Sequence, residues 1–334
     1  MSIIEVNDLV REFKVNGKAE GALGLLKSLF SQEGTVKRVV DRLSFSIGEG
    51  EFVGYLGPNG AGKSTTIKMM SGVLVPSSGN IRILGLEPYK QRKEHASNIG
   101  VVFGQRTQLW WDLPLHESFR LLGAIYDIPP ARYRQNIEMF TEILEMRDFL
   151  QTPVRQLSLG QRMRGDIAAA LLHDPKLLFL DEPTIGLDLV AKEKIQNFLK
   201  TINEEKKITI MLTTHNMDDI EKLCSRVIFI DQGRSLYDGS MQEMTRRFGG
   251  HRYVVVETAG WEAAGWKGPR IEKEEGGRLW FRITHDDQVA GLIRELSEHL
   301  TIQNLTVSEP RIEEIIRQLY TLKEQGEEKE LALA

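Results

Sequence analysis

The sequence predicts an α/β chain. A mostly parallel sheet lies between helices, with an antiparallel β subdomain before it, a helical insertion within it and a small α+β module after it. Three observations predict this. Continuous apolar runs at 177–180, 208–212 and 227–230 alternate with helical patterns over 161–172, 189–203 and 216–223, as strands buried on both faces do. Residues 2–6 and 9–15 instead alternate polar with apolar, which predicts two antiparallel strands. From about residue 250 the pattern shifts to strands at 252–257, 279–284 and 301–307 with helices at 288–300 and 311–322, joined to the rest through Gly249-Gly250. Between these regions, strand signals recur at 43–47, 52–56, 80–84 and 99–103, and residues 115–150 hold two helical patterns broken at Pro129-Pro130. The expected domains are 1–248, with a helical insertion at about 106–172, then 249–323 and a charged tail at 324–334.

The 334 residues are 41% hydrophobic and 27% charged, an ordinary globular composition in a chain long enough to bury a sizeable core. A net charge of −4 provides no basic field to gather nucleic acid, and no nucleic-acid partner is expected. Cys224 is the only cysteine, so no intramolecular disulfide forms; it reads as a small core residue in a reducing compartment. No apolar stretch approaches ~18 residues, and Met1-Ser2-Ile3-Ile4-Glu5 lacks the layout of a signal peptide. Work at a membrane is therefore expected to go through a partner. Residues 16–38 interrupt the strand pattern around an amphipathic run at 23–30, which reads as a hydrophobic flap over the core or as a contact with a membrane partner or the bilayer surface.

The most informative stretch is Gly57-Pro58-Asn59-Gly60-Ala61-Gly62-Lys63-Ser64-Thr65, set between a strand and a helix. It matches G-x-x-x-x-G-K-[ST]. Its glycines let the backbone wrap a phosphate, so that N–H groups and the helix N-terminus point at the anion. Gly57, Asn59, Gly60, Gly62, Lys63, Ser64 and Thr65 are the candidate nucleotide-binding residues. In this pattern Lys63 reaches the β- and γ-phosphates and Ser64 binds Mg²⁺. The motif alone admits ATP or GTP. Further on, the apolar run at 177–180 ends in Asp181-Glu182. Acids at the C-terminal end of a buried parallel strand face the ligand crevice. Asp181 reads as a holder of Mg²⁺ through water, and Glu182 as the acceptor of a proton from an attacking water.

Leu157-Ser158-Leu159-Gly160-Gln161-Arg162 precedes that strand, Ile185-Gly186-Leu187-Asp188 follows Pro183-Thr184, and Thr213-Thr214-His215 follows the next strand. In order and spacing these elements resemble the ATP-binding subunits of ATP-binding-cassette (ABC) transporters over residues 1 to about 245. The resemblance implies ATP and Mg²⁺ as cofactors and a P-loop ATPase whose hydrolysis is coupled to transport. It implies that two such subunits, two copies or one copy with a relative, pair head to tail with ATP between the phosphate loop of one and the signature of the other. Ser158, Gly160 and Gln161 then act on the other subunit's nucleotide, and Asp188 helps couple the two sites. Gln105 serves Mg²⁺ with Ser64 and Asp181, His215 contacts the γ-phosphate, and Phe13 stacks on adenine. Glu182, His215, Gln105 and Lys63 form the implied catalytic set. Taken alone, His215 reads as a polar loop residue capping the helix that starts at Asn216. The implied partners are integral membrane permease subunits, and the implied location is the cytoplasmic face of the cell membrane.

The sequence departs from the family's pattern at Leu159, which replaces the first signature glycine, in an extra glycine before Gln105 with its sequel Arg106–Pro114, and in the insertion at 16–38. One phosphate loop without a long heptad run sets the chain apart from the soluble two-cassette members. The stretch 306–316 resembles the end of the accessory domain of drug-, antibiotic- and polysaccharide-type exporters, and 101–111 with 152–156 resembles a prokaryotic export subgroup with separately encoded permeases. An exporter subunit is the leading expectation, and a soluble ATP-gated clamp on a cytosolic partner is the alternative. Trp110 and Trp111 either form the groove that meets a permease or pack into the helical insertion.

Overall fold

A computed structural model of the chain describes residues 2–15, 35–104, 106–249, 251–258, 268–284, 288–308 and 312–324. Gln105, the run at 23–30 and residues 325–334 of the tail lie outside the described residues. The chain divides into two compact units, Met1–Asp238 and Gly239–Ala334.

The first unit opens with β1 (Ser2–Val15), β2 (Thr35–Gly48), β3 (Phe52–Leu56), α1 (Lys63–Met70), β4 (Ser78–Ile83), α2 (Arg92–Ala96) and β5 (Ile99–Phe103). It continues with α3 (Leu115–Ile125), α4 (Pro130–Ile143), α5 (Leu159–Leu171), β6 (Leu177–Asp181), α6 (Leu189–Lys206), β7 (Thr209–Thr213), α7 (Met217–Leu223), β8 (Arg226–Asp231) and β9 (Arg234–Ser240). One sheet has the order β2-β1-β4, with β1 antiparallel to both neighbours. The other has the order β5-β6-β7-β3-β8-β9, and its first five strands run parallel. Every residue of β3 and β7 is buried, the physical reason those strands read as unbroken apolar runs. The core joins both sheets to α1: Leu9, Leu43, Tyr55, Ile67, Met70, Ile81, Phe179, Met211 and Ile228 form one cluster. That packing fixes the helix behind the phosphate loop.

The two strands expected at 2–6 and 9–15 are one strand of 14 residues. The break in alternation is a bulge: the register shifts between Val6 and Leu9, and Asp8 takes φ 46°. Residues 35–38, assigned to the insertion from sequence, are the first part of β2, paired through Val15↔Thr35 and Phe13↔Lys37.

The second unit holds α8 (Met241–Phe248), β10 (Arg252–Thr258), β11 (Lys273–Glu275), β12 (Arg278–Ile283), α9 (Gln288–His299), β13 (Ile302–Ser308) and α10 (Ile312–Glu324). Its antiparallel sheet, β11-β12-β10-β13, has its own core of Val254, Val256, Leu279, Phe281, Ile283 and Leu296. The division falls after Asp238 rather than at Gly249-Gly250, because α8 packs against α10. Among the described residues no helix is long and apolar enough to cross a membrane.

Candidate nucleotide site

The phosphate loop leaves β3 and enters α1. Gly62 precedes the helix at φ 105°, and a Cβ there would stand 2.8 Å from the Val39 carbonyl oxygen, so the turn admits only glycine. Thr66 closes the first turn, its amide and hydroxyl donating to the Gly62 carbonyl at 2.9 and 3.1 Å. The Lys63 ammonium folds back over the loop and donates to the carbonyls of Gly57 (2.6 Å) and Pro58 (3.1 Å). Burial pulls its pKa below the usual lysine range, while Glu182 and Asp181 hold it up. A loop that spends its lysine on its own carbonyls has cation to spare for a phosphate.

Ser64, Lys68, Val73, Phe103, Gly104, Arg106, Asp181 and Glu182 line one cavity of about 360 Å³ beside that loop. Asp181 ends β6 and pairs in register with Thr213 of β7, whose hydroxyl donates to the Asp181 carboxylate at 2.6 Å. Glu182 takes φ 57°, an uncommon conformation for a residue with a Cβ, and is held there by its amide bond to the Thr213 carbonyl at 2.9 Å. His215 Nε2 lies 2.9 Å from Glu182 Oε1. The histidine therefore turns to the carboxylate rather than capping the following helix, which begins at Met217. Ser64, Lys63, Asp181, Glu182 and His215 thus converge from two strand ends and one helix start.

The donor set fits a nucleotide with a divalent cation. Ser64 and Asp181 offer hard oxygen ligands on one cavity. Among the described residues no group of three or more His, Cys, Asp and Glu could hold a metal by itself. A cation here would be completed by phosphates and water, as Mg²⁺ on a nucleotide is.

The other expected residues lie elsewhere. Ser158, Gly160 and Gln161 do not line this cavity. Ser158 is exposed and caps α5: its hydroxyl accepts from the Gln161 amide (3.2 Å), while the Gln161 side chain accepts from the Ser158 amide (2.9 Å). Leu159, where a glycine was expected, rests on Gly186, at which a Cβ would meet its Cδ2 at 3.1 Å. Asp188 caps α6 by accepting from the Ala191 amide at 2.9 Å. Phe13 is 36% exposed on β1, with the Arg11 guanidinium 4.6 Å from its ring centre. Trp110 and Trp111 are 37% and 50% exposed, so neither is enclosed, and Arg162 of the insertion's own α5 lies 5.8 Å from the Trp111 ring. Two features of the site went unassigned in the sequence. Thr213 was named only as part of a loop, though a hydroxyl ending a buried strand beside Asp181 was a usable signal. Arg106 lines the cavity and carried no local signal.

A phosphate loop feeding a helix behind a parallel sheet, with acids at the end of a strand one place removed, defines a P-loop nucleotide-binding protein. A family model described as ABC transporter matches residues 40–185. The linearmycin resistance ATP-binding protein LnrL of Bacillus subtilis (strain 168) is 32% identical over 293 residues, covering 85% of this chain and 94% of that protein. The Nod factor export ATP-binding protein I of Cupriavidus metallidurans is 39% identical over 207 residues, 62% of this chain and 67% of that protein. The dimeric, post-hydrolysis structure of the ATP-binding cassette MJ0796 with ADP and Pi superposes with a TM-score of 0.59 at 26% identity, over 71% of this chain and 98% of that one. The chain belongs to the ABC transporter family as an ATP-binding subunit, of the class whose ATPase domain hydrolyses ATP.

Proposed function

We propose that this subunit hydrolyses ATP as one half of a head-to-tail dimer and thereby powers an exporter whose permease is a separate membrane protein. The observation that carries the reading is the Glu182–His215 pair at 2.9 Å, on a cavity shared with Ser64 and Asp181. Gly57, Asn59, Gly60, Gly62, Lys63, Ser64 and Thr65 bind the phosphates, and Lys63 exchanges its carbonyl partners for phosphate oxygens. Glu182 takes the proton of the attacking water, and His215 orients Glu182 and meets the γ-phosphate. Mg²⁺, held by Ser64, by Asp181 through water and by Gln105, would neutralise charge on the β- and γ-phosphates. Phe13 stacks on adenine.

Ser158, Gly160 and Gln161 serve the partner's nucleotide, and Asp188 links the two sites. The exposed Ile185 (45%), Leu189 (68%) and Val190 (61%) beside Asp188 support this face as the one a second subunit covers. The dimeric MJ0796 structure supports the same assembly. Relatives named for linearmycin resistance and for Nod factor export support the outward direction. Trp110 and Trp111 are the anchors offered to the permease, which holds the subunit at the cytoplasmic face of the membrane.

Light scattering of Glu182→Gln with and without ATP-Mg²⁺ tests the reading, together with phosphate release and recovery of bound partners from native membranes. The expected result is an ATP-dependent dimer, hydrolysis reduced ~10²–10⁴-fold, and a multi-span permease in the bound fraction. Wild-type turnover by Glu182→Gln would remove Glu182 as the base. An intact ATP-dependent dimer with only soluble partners would replace the exporter with a cytosolic clamp.

A further inference from the structure

One buried carboxylate near the site has no part in the chemistry above. Asp219, in the first turn of α7, is fully buried at 0% exposure. Each of its oxygens has two partners. Oδ2 accepts from the hydroxyls of Thr184 at 2.6 Å and Thr214 at 3.2 Å. Oδ1 accepts from the Gln196 amide at 2.5 Å and faces the Lys192 ammonium at 3.1 Å, both on α6. Thr184, Thr214 and Gln196 are themselves buried, at 8%, 5% and 4% exposure.

Burying a charge is costly, and a buried ion pair returns little net stability over apolar packing. Such a group is better explained by what it positions than by what it stabilises. The partners of Asp219 are specific in this respect. Thr184 lies two residues beyond Glu182, in the loop leaving β6. Thr214 is the residue before His215, in the loop leaving β7. Lys192 and Gln196 lie on the helix capped by Asp188. Among the described residues, the Glu182 amide bond to the Thr213 carbonyl is the last backbone hydrogen bond between the Thr184 and Thr214 segments. Past that point, one Asp219 oxygen joins the two loops.

We propose that Asp219 is a positioning residue for hydrolysis: it ties the Glu182 loop to the His215 loop through the hydroxyls of Thr184 and Thr214. It also anchors both loops to α6, the helix that begins at Asp188. The inference rests on the roles proposed above for Glu182 and His215. A misplacement on the order of 1 Å costs ~10²-fold in rate without touching the bound substrate, so the effect belongs in kcat rather than in ATP affinity.

Asp219→Asn tests this directly, since it sets an amide donor against the Thr hydroxyls or against Gln196 and Lys192. Thr184→Val and Thr214→Val are the gentler variants, because each removes one hydroxyl and leaves the Asp219–Lys192 pair in place. For Thr184→Val the expected result is a kcat lowered ~10-fold or more, with binding of a fluorescent ATP analogue within about threefold, and recovery in Thr184→Ser. Turnover at the wild-type rate by both folded valine variants would overturn the inference. So would parallel losses of kcat, affinity and melting temperature that serine does not restore.

A second readout does not depend on turnover. In the wild-type background, Glu182→Gln should alter the NMR signals of the His215 ring, which lies 2.9 Å from the Glu182 carboxylate. That change should shrink by half or more in the Thr184→Val background. An undiminished change would overturn the inference even in a chain that hydrolyses nothing. A diminished change in such a chain would uphold the tie between the two loops and discard the ATPase roles instead.

Discussion

Asp166→Asn should make the protein more stable at neutral pH, and by less as the solution is acidified. Asp166 lies on α5, 3% exposed, and accepts from the Thr107 hydroxyl at 2.8 Å and the Gln108 amide at 3.0 Å. Burial pushes its pKa up from 3.8 to about 6, against the hydrogen bonds and the nearby Arg162. A carboxyl whose folded pKa is raised binds its proton more tightly in the native chain than in the unfolded one. Its cost to stability is therefore absent below 3.8, grows between 3.8 and 6, and is complete above 6. The interval of about 2 pH units corresponds to about 3 kcal/mol at neutral pH, of which about half remains at pH 5. Asparagine keeps an oxygen for Thr107 and Gln108 and removes the charge, while its amide loses the attraction to Arg162. The attraction to Arg162 is already contained in the net rise of the pKa, so the difference between the two pH values is the clean quantity. Urea unfolding of the full chain should give an Asn-minus-Asp stability roughly 1–2 kcal/mol larger at pH 7.5 than at pH 5. A difference that is flat with pH, or larger at pH 5, would refute the reasoning.

Two further substitutions probe the site and its surroundings. A Cβ at Gly104 would stand 2.3 Å from the Glu182 carbonyl oxygen and 3.0 Å from that of Asp181, so Gly104→Ala should displace Glu182 and lower kcat on the order of 10²-fold while ATP binding survives; unchanged phosphate release would show that the loop yields freely. Trp111→Ala should leave the subunit's own ATPase within about twofold and weaken capture of the permease by roughly tenfold or more, as loss of an interface anchor does. Equal loss of both activities would return Trp111 to a packing role.

Much of this architecture was legible because its causes are local. The phosphate loop is a contiguous pattern, and β3, β6 and β7 stand out because burial on both faces leaves their middles continuously apolar. Other features depend on partners distant in sequence. The bulge at Asp8 continues β1 where the alternation breaks, and only pairing with β2 and β4 reveals it. β9 was missed because Arg234–Ser240 has one buried residue, Tyr237, and no alternation to read. The Glu182–His215 contact was reached through resemblance rather than spacing, since two strand ends must first be brought side by side. Thr213 and Asp219 were unassigned for the same reason: an ordinary threonine and a helix-start acid gain meaning only from the strand and helix that close over them.

The cap on α5 has a directional consequence. By accepting the Gln161 amide, the Ser158 oxygen commits a lone pair inward and leaves its hydrogen facing solvent. The helix start adds unpaired amides and a partial positive charge at the same spot. An incoming carbonyl or phosphate oxygen is therefore favoured at this corner over an ammonium. The polarity of that encounter is written into how the helix begins, before any partner arrives.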